Sequence, residues 1–475
     1  MQKNAQMRDL IVIGGGVGGL VTASIAGQLG LKVTMIERGN RLGGDCLHYG
    51  CVPSKTLIHS AKLAHAMRHA ARLGLPGFDP QVNIARINAR IREVVEQIQK
   101  HDDPERFRGY GVDVRMNAGA RFTGPQEIET DGVGLQGRRI VIATGSRPAV
   151  PAIPGLQESN FVTNEDVYTL DGLPDKLAVL GAGPIGLELA QAFQRLGSQV
   201  TIIEAQARVL PNEDTDIVDA LGRCLREEGI GLHTGVSAER VSIRDGRTTV
   251  HCGGGMKFEC ERLLVAVGRR PNVEDLNLDR AGIEFTARGI NVDHRMRTSN
   301  KRVYACGDVT GVMPFTHVAE YQAGVIIGNA LFGAPRKADY RAVPWVIFTD
   351  PEFARVGKNE TQARAEGLNI DTTRFEFHNV DRAKAEGSTD GLVKLTLHKG
   401  RIIGASVLGP DAGELVHELA VAVAKKFKAS DLSNVVHAYP TLADINRRAA
   451  NAYLAPKLFS PAVKRLVGWI NQWIP

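Results

Sequence analysis

Cys46 and Cys51 stand with four residues between them in GGDCLHYGCVPSK, residues 43–55, flanked by a double glycine and a proline. Closing so small a loop removes little chain entropy, so a purely stabilising staple explains the pair poorly. Thiol–disulfide exchange explains it better. Positions five apart on a regular helix point about 140° apart around the axis, so a bridge requires a distorted turn. Gly43, Gly44, Gly50 and Pro53 permit one. In isolation such a pair reads more simply as two buried reduced thiols, and only the flanking motifs displace that reading.

Those motifs come from nucleotide-binding elements. Residues 9–13, DLIVI, form a short apolar β-run, GGGVGG follows, and an apolar helical pattern continues through Leu29. A second β-run, KVTMIE, ends at Glu37. Gly14, Gly16 and Gly19 thus lie between strand and helix with an acid about twenty residues on, the context a dinucleotide fold requires. The glycines let the backbone approach a pyrophosphate, the helix N-terminus attracts its charge, and Glu37 can hold a ribose hydroxyl pair.

The theme repeats in KLAVLGAGPIGLELAQAFQRLGSQVTIIE, with Gly181, Gly183 and Gly186 in the same relative places and Glu204 closing the second strand. One chain therefore carries two dinucleotide-binding units. A carboxylate at Glu204 accepts both ribose hydroxyls and repels a 2′-phosphate, which predicts NADH over NADPH. Arg208, four residues later, reads either as a solvated loop charge or as a phosphate partner.

Helical patterns are expected at roughly 54–72 and at Ile84–His101. An apolar strand at 140–143 runs into Thr144 and Gly145, and PAVPAIPG reads as a linker. Two further strands run into turns, LLVAVGRRPN and VYACGDVTG. From 342 onward β-runs give way to helices, which predicts a separate α+β domain.

A chain of 475 residues holds about three domains. With 52 glycines, 5% aromatic and 23% charged residues, the composition is that of a Gly-rich α/β enzyme and excludes a disordered chain. The net charge of +6 is spread among interspersed acids and bases, so no nucleic-acid partner is expected. The opening MQKNAQMRDL is polar and lacks an apolar leader, which predicts a cytoplasmic protein. Cys224, Cys252, Cys260 and Cys306 are scattered, as suits a reducing compartment.

Taken in order, GGGVGG, GGDCLHYGCVPSK, VIATGSRP, GAGPIGLELA, VAVGRRPN, YACGDVT and FTDPEFARVG resemble the flavoprotein disulfide reductases, the family of dihydrolipoamide dehydrogenase, glutathione reductase and mercuric reductase. The resemblance covers nearly the whole chain. It implies two Rossmann-like domains plus a C-terminal α+β dimerisation domain. FAD would be held by 1–150 and a returning segment 273–341, NAD by 151–272, and the homodimer would form through 342–475.

The resemblance also implies roles. Cys51 would be the charge-transfer thiolate and Cys46 the exchanging thiol, with Lys55 near flavin N5 and Glu188 as its partner. Glu37, Thr144, Gly145 and Asp308 fall where relatives contact FAD, Ala120 where the backbone meets the adenine, and Gly268 where the nicotinamide nucleotide is approached.

The pattern breaks near the C-terminus. Where many relatives place a His before Pro-Thr and a Glu five residues later, this chain reads HAYPTLAD, with Tyr439 and Asp444 in those positions. An imidazole titrates near neutrality and protonates a leaving thiolate, whereas a tyrosine of pKa about 10 does this poorly. His437 stands in for it or is a structural interface residue. Mercuric reductases share a Tyr there, and soft thiolates suit a soft metal. Yet no Cys follows Cys306, so their C-terminal vicinal pair is missing, and no CxxC carrier segment precedes the first glycine turn.

His48, inside the cysteine loop, either tunes Cys46 as a nearby cation or is loop surface. The tail SPAVKRLVGWINQWIP predicts a helix capped by Ser460, with Val463, Leu466, Val467, Ile470 and Ile474 on one face and Trp469 and Trp473 at its flank. Packing on this chain or its dimer partner is the default, and peripheral contact with a membrane the alternative.

These readings converge on an NADH-dependent FAD oxidoreductase that delivers electrons through Cys46/Cys51 to an unidentified small-molecule acceptor, such as a disulfide or Hg(II). The rivals are a flavoprotein serving a quinone or membrane partner, and a redox sensor without turnover.

Overall fold

The computed structural model describes residues 6–474; the first five residues of the polar opening lie outside the described residues, as does 475. The DLIVI run is the inner end of the strand Gln6–Ile13, which pairs in parallel with Val33–Ile36 on one side and Val133–Ile142 on the other. Val112–Arg115 extends the sheet past Val33–Ile36, and Val303–Ala305 joins from the far end of the sequence, parallel to Val133–Ile142. A sheet covered on both faces needs continuous rather than alternating apolar runs, and Leu10, Ile11 and Val12 are wholly buried. The helix Val17–Gln28 packs on Thr316–Ala330 over this sheet.

The second glycine-rich run builds a matching layer. Gly231–Thr234, Gln199–Glu204, Lys176–Leu180, Arg262–Val265 and Phe161–Val162 form a five-stranded parallel sheet. The third domain is a five-stranded antiparallel sheet, in the order Pro344–Ile347, Glu352–Gly357, Arg401–Gly409, Leu392–His398, Asp371–Glu376. The helices Ala412–Ala424 and Asp444–Leu458 pack on it. The fold is therefore two Rossmann-like units and an α+β domain.

Three local departures from the sequence reading have physical causes. The helix expected from about 54 starts at Cys51 and ends at Arg68, with a separate 3-10 turn at Ala70–Leu73. Pro53 is tolerated because the first helical turn needs no intrahelical N–H donor. A short helix, Gly44–His48, precedes it and carries Cys46. The second expected helix spans Ile84–Gln99, capped by the Asn83 side chain, before a 3-10 turn.

The tail helix Pro461–Ile470 is capped by Ser460 as its sequence predicts. None of its residues is buried, so it does not pack on its own chain, which corrects half of the default reading. Among the described residues no helix is long and apolar enough to cross a membrane.

Candidate active site

Between the two cysteine-bearing helices, Tyr49 and Gly50 leave helical geometry, with Gly50 at φ −110° and ψ −112°. This is the distorted turn the spacing requires. Both cysteines are free thiols, and they are not equivalent. A hydrogen bond from Cys46 lowers the Cys51 thiol to about 6, aided by the Thr316 hydroxyl, 3.6 Å from Cys51 Sγ, and by the Lys55 charge, and opposed by burial. The same hydrogen bond, with burial, pushes Cys46 well above the ordinary thiol range. Thr316 and Lys55 thus favour the charge on Cys51 over Cys46.

Lys55 lies one turn along the Cys51 helix, its Nζ 2.7 Å from Glu188 Oε2. The Glu188 side chain is only 7% exposed, and its other oxygen accepts from the Phe348 backbone N–H at 2.9 Å. Lys55 Nζ also sits 4.5 Å from the Phe348 ring centroid. One ion pair thus joins the cysteine helix, the second nucleotide unit and the third domain. A cation fixed this way is positioned to stabilise electrons arriving beside it.

The nucleotide cradles fit their groups. Gly14 has φ +106°, and a Cβ there would stand 2.3 Å from the Ala143 carbonyl oxygen; a Cβ on Gly19 would stand 2.0 Å from Gly14 O. At Gly16 a Cβ meets nothing closer than 3.9 Å, leaving room where a pyrophosphate approaches. Glu37 accepts from the Gly15 and Gly39 amides, both at 2.6 Å, which fixes its carboxylate beside the turn. Thr144 and Gly145 are clasped by Asn272, whose side chain donates to the Thr144 carbonyl and whose amide donates to Gly145 O. Asp308 accepts from Ser146 Oγ at 2.6 Å, and Ala120 lies on the wall of the same cleft.

The second unit repeats this. Gly181 has φ +101°, a Cβ on Gly186 would stand 2.1 Å from Gly181 O, and Gly183 is open. Glu204 accepts from the Ala182 and Gln206 amides, both at 2.7 Å. Gly268 lines the passage between the units at φ +129°. Arg208 donates to Thr215 and to the Pro211 carbonyl, so it serves its own loop. The cleft joining both units and the cysteines encloses about 2640 Å³, well beyond the roughly 300–1,000 Å³ of a single small-ligand pocket. It has room for two dinucleotides.

The C-terminal candidates do not gather around the cysteines of their own chain. Tyr439 is 71% exposed and its hydroxyl donates to Asp381 at 3.2 Å. Asp444, buried, is held by Arg447 and Arg448, and these guanidinium groups keep its carboxyl below the usual range against the effect of burial. Tyr439 and Asp444 therefore form no dyad. His437 places Nε2 3.0 Å from Glu418 and Nδ1 3.1 Å from the Val435 carbonyl, so both ring nitrogens are engaged. His48 Nε2 lies 2.8 Å from the Leu42 carbonyl, and the groups acting on Cys46 are Cys51 and Thr316.

Two contributors escaped the sequence reading. Thr316 is 265 positions from Cys51 and carries no local cue. Arg269 reaches Asp45, next to Cys46, at 3.0 Å and donates to Ser146 Oγ at 2.8 Å. Its one cue was its place after Gly268 in VAVGRRPN.

Residues 8–323 match the family model described as pyridine nucleotide-disulphide oxidoreductase, and 343–450 match that family's dimerisation domain. The chain is 34% identical to a mercuric reductase of Staphylococcus aureus, over 93% of this chain and 82% of that protein. It is 35% identical to the mitochondrial dihydrolipoyl dehydrogenase of Pisum sativum, over 94% and 91%. Among solved structures it is similar to the Cu(II) complex of the HOCl-induced flavoprotein disulfide reductase RclA from Escherichia coli, with a TM-score of 0.84, 29% identity, and coverage of 92% of this chain and 98% of that one.

Proposed function

Since the chain belongs to the pyridine nucleotide-disulphide oxidoreductase family, and so is an FAD-dependent, homodimeric enzyme using a nicotinamide nucleotide, we propose that it carries electrons from NADH to the Cys46/Cys51 disulfide and on to a soft metal ion. FAD, when bound, supplies the relay that takes a hydride from the nicotinamide and passes an electron pair to sulfur. Reduction would break the S–S bond and leave the pair as a Cys51 thiolate and a Cys46 thiol carrying one proton. The observation that carries this reading is the dithiol loop itself, with the Thr316 hydroxyl 3.6 Å from Cys51 Sγ and the Lys55–Glu188 pair one turn along the same helix.

NADH is the proposed donor because Glu204 would repel a 2′-phosphate, while Arg208 is engaged with Thr215 and the Pro211 carbonyl. The cytoplasm, which supplies NADH and keeps thiols reduced, is the proposed setting.

The acceptor preference follows from Tyr439. A disulfide acceptor needs an acid near neutral pH for its leaving thiolate; thiophilic cations, one Hg(II) taking both electrons or two Cu(II) taking one each, do not. The mercuric reductase relatives and the Cu(II)-bound RclA support the same class. Anaerobic titration with NADH and NADPH, followed by Hg(II), Cu(II), lipoamide, glutathione disulfide and quinones, tests the whole reading. We expect NADH to reduce the flavin at lower concentration, metal ions to reoxidise it fastest, and Tyr439→His to raise lipoamide turnover about tenfold. Wild-type lipoamide turnover that Tyr439→His leaves unchanged would refute the acceptor assignment.

A further inference from the structure

The tail helix plays no part in the redox reading. At 100° per residue, Val463, Leu466, Val467, Trp469 and Ile470 fall on one arc of about 160°, and Lys464, Arg465 and Gly468 on the other. The following turn continues the pattern, because Asn471 and Trp473 donate to the carbonyls of Val467 and Ile470. It brings Trp473 beside Trp469, with ring centroids 6.4 Å apart. Leu466, Trp469 and Trp473 are 53%, 59% and 73% exposed, and the patch extends back to Phe459 and Leu458. A continuous apolar face of this kind marks a contact surface.

Charge decides what covers it. Beyond Asp444 the sequence holds Arg447, Arg448, Lys457, Lys464 and Arg465 and no acid. Arg447 and Arg448 are already paired with Asp444, and two copies packed through the apolar arcs would leave Lys464 and Arg465 on the outer side with no acid in either tail to pair them. An anionic bilayer supplies that partner. Its headgroups meet Lys464 and Arg465 while the apolar arc sinks to the acyl boundary, and tryptophan rings favour that depth. Ten helical residues span about 15 Å, half of a hydrocarbon core, so the helix lies in the interface and does not cross it.

We propose that residues 458–474 form a peripheral anchor that holds the enzyme on an anionic phospholipid surface. The test is co-sedimentation of the full-length FAD-loaded dimer with vesicles of phosphatidylcholine alone or mixed with phosphatidylglycerol. Pelleting at least about tenfold greater on the anionic vesicles and reversed by high salt is expected, with a blue shift of tryptophan emission, since the tail holds two of the three tryptophans. Leu466→Glu with Ile470→Glu should abolish pelleting, and Lys464→Glu with Arg465→Glu should abolish its anionic preference. Flavin reduction by NADH and dimer mass should stay unchanged in both. Wild type left in the supernatant, or variants that pellet like it, would overturn the proposal. So would a glutamate variant that falls to monomer mass, which would assign the face to the second subunit.

Discussion

The two nucleotide units build their glycine turns in the same way, yet the cysteines are built on only one of them. In each, the first glycine takes a positive φ, the third lets the helix close on the first glycine's carbonyl, and a glutamate accepts two backbone amides. They differ in what reaches the turn. At the first, Gly43 donates to the Gly15 carbonyl at 2.9 Å and Gly44 comes so close that a Cβ on it would stand 2.8 Å from Gly16 Cα. The cysteine loop is thus laid directly on the first turn. At the second, no such segment among the described residues covers Gly183, where a Cβ would meet nothing within 4 Å. A covered turn suits a resident group, and an open one a group that comes and goes.

A second difference lies two residues past the third glycine. The first helix has Val21 there and the second has Glu188. That single exchange of an apolar for an acidic residue lets the second helix reach Lys55 on the cysteine helix and so joins the units electrically.

The largest expected effects separate the units. Gly19→Ala and Gly186→Ala place nearly the same clash, 2.0 and 2.1 Å, in the two turns. Gly19→Ala should purify with its flavin largely lost. Gly186→Ala should keep its flavin and raise the KM for NADH about tenfold or more. Flavin-to-protein absorbance and steady-state kinetics read this, and flavin loss in both would show that the open turn is no more exchangeable than the covered one.

Next comes the bridge between them. Lys55→Met leaves Glu188 buried without its cation, at a cost of about 3 kcal/mol, and should slow flavin reduction of the cysteines about 100-fold. Pairing it with Glu188→Gln should restore most of the melting temperature and little of the rate. Recovery of both together would make the pair structural only.

The smallest effect concerns the dithiol itself. A thiol lowered in the folded protein is charged above its pKa and loses that charge as pH falls through it, so the long-wavelength thiolate-to-flavin band of the two-electron-reduced enzyme should persist at neutral pH and fade with a midpoint near 6. Thr316→Val should move that midpoint up by less than about one unit. A wild-type midpoint near 8.5, that of a free thiol, would mean Cys46 and Lys55 do not act on Cys51.

Much of this was legible in the linear chain, and for a physical reason. Glycine spacing, the closing acid and a CxxxxC pair are local constraints: Gly14 and Gly181 must adopt backbone angles that few other residues take, and Glu37 and Glu204 must end the strand beside them. Periodicity likewise announced the tail helix and its Ser460 cap. The sequence by itself determined the two cradles, the redox pair and the absence of an imidazole at position 439. The resemblance already named Cys51 as the thiolate, but only the tertiary structure supplied the groups beside it, because Thr316 arrives from 265 positions away. It alone tied His437 to Glu418 and Asp444 to two arginines, and set Arg269 against Asp45. Proton affinity depends on distance and burial among groups that folding brings together, and sequence spacing carries neither quantity.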